Sequence, residues 1–170
     1  MLVFVYGTLR TGYHNNALLA TSKRLGLAVT ATDWIMTTFT PIGGFPYLHY
    51  AETPQMTSHN NGLITAADAA KVVGEVFEVD AETLKRLDQL EGYDWSRNFV
   101  DNHYNRVNIA VRMAVSGEVI ECMTYVCGDI NYTNKRDDLW VCKSPAVDCY
   151  DWGMPQLFRH RSLTKMANHN

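Results

Sequence analysis

The first ten residues, Met1-Leu-Val-Phe-Val-Tyr-Gly-Thr-Leu-Arg10, constrain the rest of the chain most strongly. Leu2 to Tyr6 is a short, almost wholly apolar run rich in β-branched and aromatic residues, the pattern of a strand covered on both faces. It stops at Gly7, so the chain opens into a loop directly beside a buried strand. Because glycine lacks a Cβ, a ligand can approach the main chain there, and the N–H groups of Thr8, Leu9 and Arg10 are candidates for an anion-binding nest. A glycine that only turns the chain fits these residues equally well. Gly7-x4-Gly12 has the glycine spacing of a phosphate loop, but Tyr13-His14 stands where Lys-Ser/Thr is required and no Gly-x-Gly-x-x-Gly occurs, which disfavours nucleotide binding.

A chain of 170 residues is long enough for one domain with its own core, here expected over 2–126 with an irregular wrap over 127–170. Charge is near balance, 15 Lys+Arg against 18 Asp+Glu, and no basic run offers a footprint for nucleic acid or an anionic membrane, so the expected partner is a small molecule. The four cysteines, Cys122-x4-Cys127 and Cys142-x6-Cys149, match neither paired zinc spacing nor a disulfide framework and read as reduced core residues. The six histidines show no His-Glu-x-x-His and no i,i+4 pair, so no metal site is expected. The apolar start reaches Gly7 and Arg10 too early for a signal peptide, and no run approaches the ~20 apolar residues of a membrane span. A soluble cytoplasmic protein is the expectation.

Along the chain, Asn15 or Asn16 is placed to cap a short helix through Ala17 to Ala20, adding free N–H groups beside the first loop. Gly26 to Thr40 reads as one long strand or a bent pair, stopped by Pro41 and Gly43-Gly44, and Phe45 to Tyr50 as an edge strand or extended loop, since Pro46 cannot donate to a ladder. Glu52 to Asn61 is a polar surface excursion ahead of the Ala-rich stretch at Ala66 to Ala70. Val72 to Val79 alternates as a strand. From Tyr104 onward Val107, Ile109, Val111, Met113 and Val115 share one face; Ser116-Gly117 turns the chain and Glu118 to Val126 returns, a hairpin expected at the sheet's centre. Tyr125 is placed either to offer its hydroxyl to a ligand in a barrel-like interior or to serve as an ordinary core tyrosine. Gly128 to Asn134 reads as a loop, and the aromatics from Trp140 to Phe158 as part of the wrap.

Between these strands Asp80 caps a helix from Ala81 to Leu90, and Gly92 is placed to end it. Leu84, Leu87 and Glu91 stand at i, i+3 and i+7, so a helix persisting to Glu91 turns that carboxyl onto its apolar stripe. Desolvation, the negative helix end and Asp88 one turn earlier would then all disfavour the charged form and raise its pKa towards neutrality. A glutamate in a last turn is more often simply solvated.

Taken together, Val5-Tyr-Gly-Thr-Leu-Arg10, Asn15/Asn16, Gly74-Glu-Val-Phe77, Leu87-Asp-Gln-Leu-Glu-Gly-Tyr93, Tyr104-Asn-Arg106 and Tyr125 resemble the γ-glutamylcyclotransferase superfamily, specifically its AIG2-like branch that includes γ-glutamylamine cyclotransferases. The resemblance spans Leu2 to about Val126. It implies an α+β fold, a small mixed β-barrel with flanking short helices and a cavity at one end. It also implies that Tyr6, Gly7, Thr8 and Leu9 bind substrate through backbone groups and that Glu91 is the catalytic acid/base, with no metal and no cofactor. Arg10 is a weaker substrate-binding candidate, since a residue there also suits a cover for the barrel rim. The segment between Gly92 and Tyr104 is longer than is usual in the family, and Asp151-Trp152 corresponds only loosely to its Gly-Asp-Trp ending. The implied reaction is intramolecular attack within a γ-glutamyl amide, releasing 5-oxoproline and an amine. A binding module for a γ-glutamyl or amino-acid-like group, and a cyclising lyase acting on another substituted amine, are the alternatives.

Overall fold

A computed structural model describes residues 1–38, 44–52, 56–57, 63–128, 140–141, 143–144 and 149–152. Its strands are β1 (Leu2–Val5), β2 (Lys23–Thr30), β3 (Trp34–Thr38), β4 (Tyr47–Tyr50), β5 (Met56–Thr57), β6 (Leu63–Ile64) and β7 (Lys71–Glu78). The helix α1 (Ala81–Glu91) follows, then β8 (Tyr104–Met113), β9 (Val119–Cys127), β10 (Trp140–Val141), β11 (Lys143–Ser144) and β12 (Cys149–Tyr150). Short 3-10 turns lie at His14–Leu19, Ala66–Asp68 and Phe99–Asp101. The stop at Pro41 and Gly43, the loop over 129–134, Cys142 and Phe158 fall outside the described residues, as does most of the excursion after Glu52.

Five strands close on themselves in the order β1-β9-β8-β2-β7, with β7 returning to β1. The β1–β9 pair is parallel and the other four are antiparallel, so this is a small mixed barrel without an open edge in the ring. The hairpin of β8 and β9 is accordingly two staves of a ring rather than the centre of an open sheet. Register slips at Leu25, between the pairs Arg24↔Phe77 and Gly26↔Val76, and Gly26 takes φ +138°, a backbone only glycine adopts readily. The bulge adds local twist of the kind that helps a strand bend around a barrel. Gly26 to Thr40 resolves into the bent pair, β2 and β3; β3 leaves the ring to pair with β4 and β10, and β4 is an edge strand.

Alternation along the ring separates two cores. Phe4, Val72, Val76, Val111, Cys122 and Val126 fill the barrel. Val3, Val5, Phe77, Leu84, Leu87 and Tyr125 form a second core between its outer face and α1. Of the two readings of Tyr125, that of a core tyrosine agrees with the structure and that of a hydroxyl in the barrel interior is corrected: Tyr125 points out of the barrel, because it is a neighbour in sequence of the inward Thr124 and Val126. Val115 is corrected as well. The strand ends at Met113, where Gly117 (φ +73°) tightens the turn through its N–H to Met113 O, and Val115 is 99 % exposed at the tip.

The helix begins and ends where its sequence signals stand. Asp80 Oδ1 accepts from Thr83 N–H at 2.7 Å, and Gly92 closes the last turn in the left-handed region (φ +65°), its N–H reaching Asp88 and Gln89 carbonyls. Thr83, Leu84 and Leu87 are the buried stripe. Among the described residues no helix is long and apolar enough to cross a membrane.

Candidate active site

Where β1 and β9 leave the barrel and β8 enters it, an open cavity of about 240 Å³ lies against the C-terminal end of α1. Tyr6, Gly7, Thr8 and Leu9 form one wall, and Glu91 enters from the helix. The turn after β1 closes through Arg10 N–H to Gly7 O at 3.0 Å. That bond removes Arg10 N–H from the expected nest and leaves those of Thr8 and Leu9 with no partner among the described residues. The space opened by the missing Cβ of Gly7 is taken by protein: an added Cβ would stand 2.6 Å from Pro46 Cγ.

Asn15 and Asn16 do not cap a helix; the turn beginning at His14 has no side-chain cap. Instead Asn15 Nδ2 donates to Thr8 Oγ1 at 2.9 Å and Asn16 Nδ2 to Leu9 O at 2.8 Å, so both amides brace the loop, and Asn15 also lines the cavity. The loop's far end is tied down by Glu75, buried on β7 within the Gly74–Phe77 motif but given no role by the sequence. Its carboxylate accepts from Thr11 N–H (3.0 Å), Thr11 Oγ1 (2.8 Å) and Arg24 (3.1 Å). Burial by itself would raise its pKa, but Arg24 and the Thr11 donors outweigh burial and hold it below the usual carboxylate range. Stability from this cluster is therefore present above the unfolded pKa and lost as pH falls through the lower folded one. Glu75→Gln should lower the melting temperature at pH 7, with the gap to wild type narrowing as thermal melts are taken towards pH 3.

Arg10 does not line the cavity. Its guanidinium, almost wholly buried, pairs with Asp151 at 2.5 Å, and Tyr13 OH donates to Trp152 O, so this end of the loop is fastened to the segment after β12. Tyr150 and Trp152 themselves sit in the barrel core.

Three tyrosines surround Glu91, and each hydroxyl is engaged elsewhere. Tyr6 OH donates to Tyr125 O (2.7 Å), Tyr104 OH to Pro46 O (3.0 Å) and Tyr125 OH to Asp88 Oδ1 (2.7 Å). The Tyr125 hydroxyl is thus committed to Asp88, which does not line the cavity. Glu91 has neither hydrogen bond nor ion pair among the described residues, and burial pushes its carboxyl up to about 7. Of the three influences expected from sequence, desolvation alone accounts for the shift. Asp88 is turned aside to Arg106, 2.6 Å away, whose guanidinium lies over the Tyr93 ring.

Phe45, Pro46, Leu90, His103 and Tyr104 complete much of the lining; Leu90 and Tyr104 stand within motifs that carry the resemblance, which implies no role for either, and no sequence motif marks Phe45, Pro46 or His103. His103 and Tyr104 end the long segment after Gly92, which is an ordered turn: Asn102 Oδ1 accepts from Asp94 N–H, and Asn105 Nδ2 donates to Phe99 O.

Comparison with known proteins is consistent across sequence and fold. The family model described as "Gamma-glutamyl cyclotransferase, AIG2-like" matches residues 3–152. A Methanocaldococcus jannaschii protein named "Putative gamma-glutamylcyclotransferase" is 34 % identical over 124 residues, 72 % of this chain and 81 % of that one. Two solved structures share the fold. An AIG2-like protein of Mus musculus has TM-score 0.53 at 19 % identity, covering 88 % of this chain and 94 % of its own. An uncharacterized Homo sapiens protein has TM-score 0.52 at 18 % identity, covering 85 % and 71 %.

Proposed function

Since the chain belongs to the AIG2-like γ-glutamyl cyclotransferase family, we propose that it converts a γ-glutamyl amide, specifically a γ-glutamylamine, into 5-oxoproline and a free amine, with Glu91 as acid and base. The observation that carries this reading is a carboxyl raised to about 7 by burial, without a protein partner among the described residues, facing a cavity beside the loop from Tyr6 to Leu9. A carboxylate near pH 7 takes and returns a proton more evenly than an ordinary one.

In the reaction Glu91 removes a proton from the substrate's α-ammonium, and the freed nitrogen attacks the γ-carbonyl carbon. The C–N bond that forms closes the five-membered ring and leaves a tetrahedral oxyanion. As this collapses, the bond to the leaving nitrogen breaks and Glu91 returns its proton there, while the ring nitrogen, still carrying one proton more than the lactam, gives it up to the released amine or to water. The Thr8 and Leu9 N–H groups, steadied by Asn15 and Asn16, supply donors to an anionic oxygen, either the oxyanion or the α-carboxylate. The substrate supplies its own nucleophile, so the protein's task is folding it and passing a proton from the α-nitrogen to the leaving nitrogen through Glu91.

Incubation with γ-glutamylamines, γ-glutamyl amino acids and glutathione, following 5-oxoproline by mass spectrometry, tests the proposal. Absence of product from every compound would defeat it. A binding module whose cavity is filled by its own C-terminal aromatics is not favoured by the described ones, since Tyr150 and Trp152 pack in the barrel core and do not line the cavity. Because the Tyr125 hydroxyl is committed to Asp88, Tyr125→Phe should keep kcat within roughly threefold while losing about 1 kcal/mol of stability from the deleted hydrogen bond. A hundredfold fall in kcat in steady-state assays would instead put that hydroxyl on the substrate.

A further inference from the structure

Exposure divides the cavity lining into two parts. Tyr6, Leu9, Tyr104 and Tyr125 are buried around Glu91, whereas Phe45 (51 % exposed), Leu90 (42 %), His103 and His14 stand at the mouth. Phe45 and Leu90 are large apolar side chains left in contact with solvent at the entrance to a site that must process a polar substrate. Three mouth residues are held in place by a neighbour in sequence. Leu90 precedes Glu91 on α1. Phe45 precedes Pro46, which is pressed against Gly7, and His103 precedes Tyr104, whose hydroxyl is bonded to Pro46 O. The His103 ring lies edge-on to Tyr47 and Tyr104 (69° and 77°), so it extends an aromatic wall. The mouth is thus pre-formed rather than a loose fringe.

Its charge is as informative as its shape. Among the described lining residues there is no Lys or Arg, and no carboxylate besides Glu91. A carboxylate on the departing amine would therefore meet no permanent cation there, only the imidazoles of His14 and His103, and a second cationic group would meet no carboxylate beyond Glu91. The leaving nitrogen must reach Glu91 to collect its proton, so its substituent points outward past Leu90, Phe45 and His103.

We infer that the mouth formed by Phe45, Leu90 and His103 is a leaving-group subsite for a primary amine with an aromatic or extended apolar body and no carboxylate. The inference rests on the cyclotransferase reading and narrows its substrate class to γ-glutamyl arylalkylamides and their apolar counterparts.

Three matched probes test it: γ-glutamylbenzylamine, γ-glutamylmethylamine, which lacks the ring, and γ-glutamylphenylalanine, which keeps a ring and adds a carboxylate. The expected order of kcat/KM puts benzylamine about tenfold above each of the others. Phe45→Ala, an exposed position whose truncation leaves both cores intact, should reduce the benzylamine-to-methylamine ratio by roughly three- to tenfold. Phe45→Arg should raise the phenylalanine-to-benzylamine ratio. Equal kcat/KM for the three probes, a preference for the carboxylate-bearing one, or a ratio unmoved in Phe45→Ala would overturn the subsite while leaving the cyclotransferase reading standing. No 5-oxoproline from these probes, from γ-glutamyl amino acids or from glutathione would overturn both.

Discussion

Glu91→Gln is expected to fold and to lose about 10²–10⁴-fold in turnover, the usual contribution of a positioned general acid–base. The amide introduced has nearly the shape of the carboxyl but can neither take the α-ammonium proton nor return it to the leaving amine. In the wild type kcat/KM should rise with pH through an acid limb near 7, the value to which burial pushes the free carboxyl, and the residual rate of the variant should lack that limb. The same substitution has a consequence for stability of opposite sign. The folded carboxyl holds its proton up to about 7, against an ordinary 4.5 when unfolded. Between those values the native state binds more protons than the unfolded one, so stability conferred at low pH is lost as pH rises through the folded pKa. Replacing the ionisable group removes that loss, by up to ~3 kcal/mol above neutrality. The variant should therefore melt higher than wild type at pH 8 and no higher at pH 4. Unchanged turnover would take Glu91 out of the mechanism, and a melting difference independent of pH would mean that its carboxyl is not raised.

Gly7→Ala is expected to lower kcat/KM by about 10²-fold. The reason is space: the new Cβ would stand 2.6 Å from Pro46 Cγ and 3.1 Å from Pro46 Cδ, and a proline ring cannot swing aside as a long side chain can. Pro46 is also fastened by the Tyr104 hydroxyl on its carbonyl. Either the loop or the lead-in to β4 must shift, and displacement of a positioning loop by about 1 Å is enough for a hundredfold loss. Overpacking of this kind costs about 1–3 kcal/mol, so the protein should still fold. A thermal melt alongside the kinetics separates the two effects. Native kcat/KM would show that the loop geometry does not govern the reaction.

Elements whose cause is local are legible in the residues themselves. β1 follows from its apolar β-branched run, and α1 from the capping Asp80, the Leu84/Leu87 stripe and the terminating Gly92. Glu91 is also within reach, because helical spacing places it on the apolar stripe and a carboxyl desolvated without a donor or cation beside it rises in pKa. The size of Asp88's part is not, since Arg106, which balances its charge, comes from a strand beyond the helix.

Tyr125 shows a second limit. Alternation says which residues share a face, but in a barrel overlaid by a helix both faces are apolar, so periodicity cannot say which is inside. Asn15 and Asn16 look like caps by residue type, yet their partners, Thr8 and Leu9, are set by how the turn folds back on the loop. Glu75 stands in the Gly74–Phe77 motif with nothing in the sequence to give it a partner, and only the pairing of β2 with β7 brings Arg24 to it.

By itself, then, the sequence determined the short-range elements, the family resemblance and the two features proposed to carry the chemistry, the loop after β1 and Glu91, because each depends on residues a few positions apart. The tertiary structure alone decided that Pro46 fills the space at Gly7, that Phe45, Leu90 and His103 share one mouth, and that every tyrosine hydroxyl around Glu91 is spent elsewhere. Those facts depend on barrel closure, which brings together residues as distant as Tyr6 and Tyr125, and no local spacing rule carries that information.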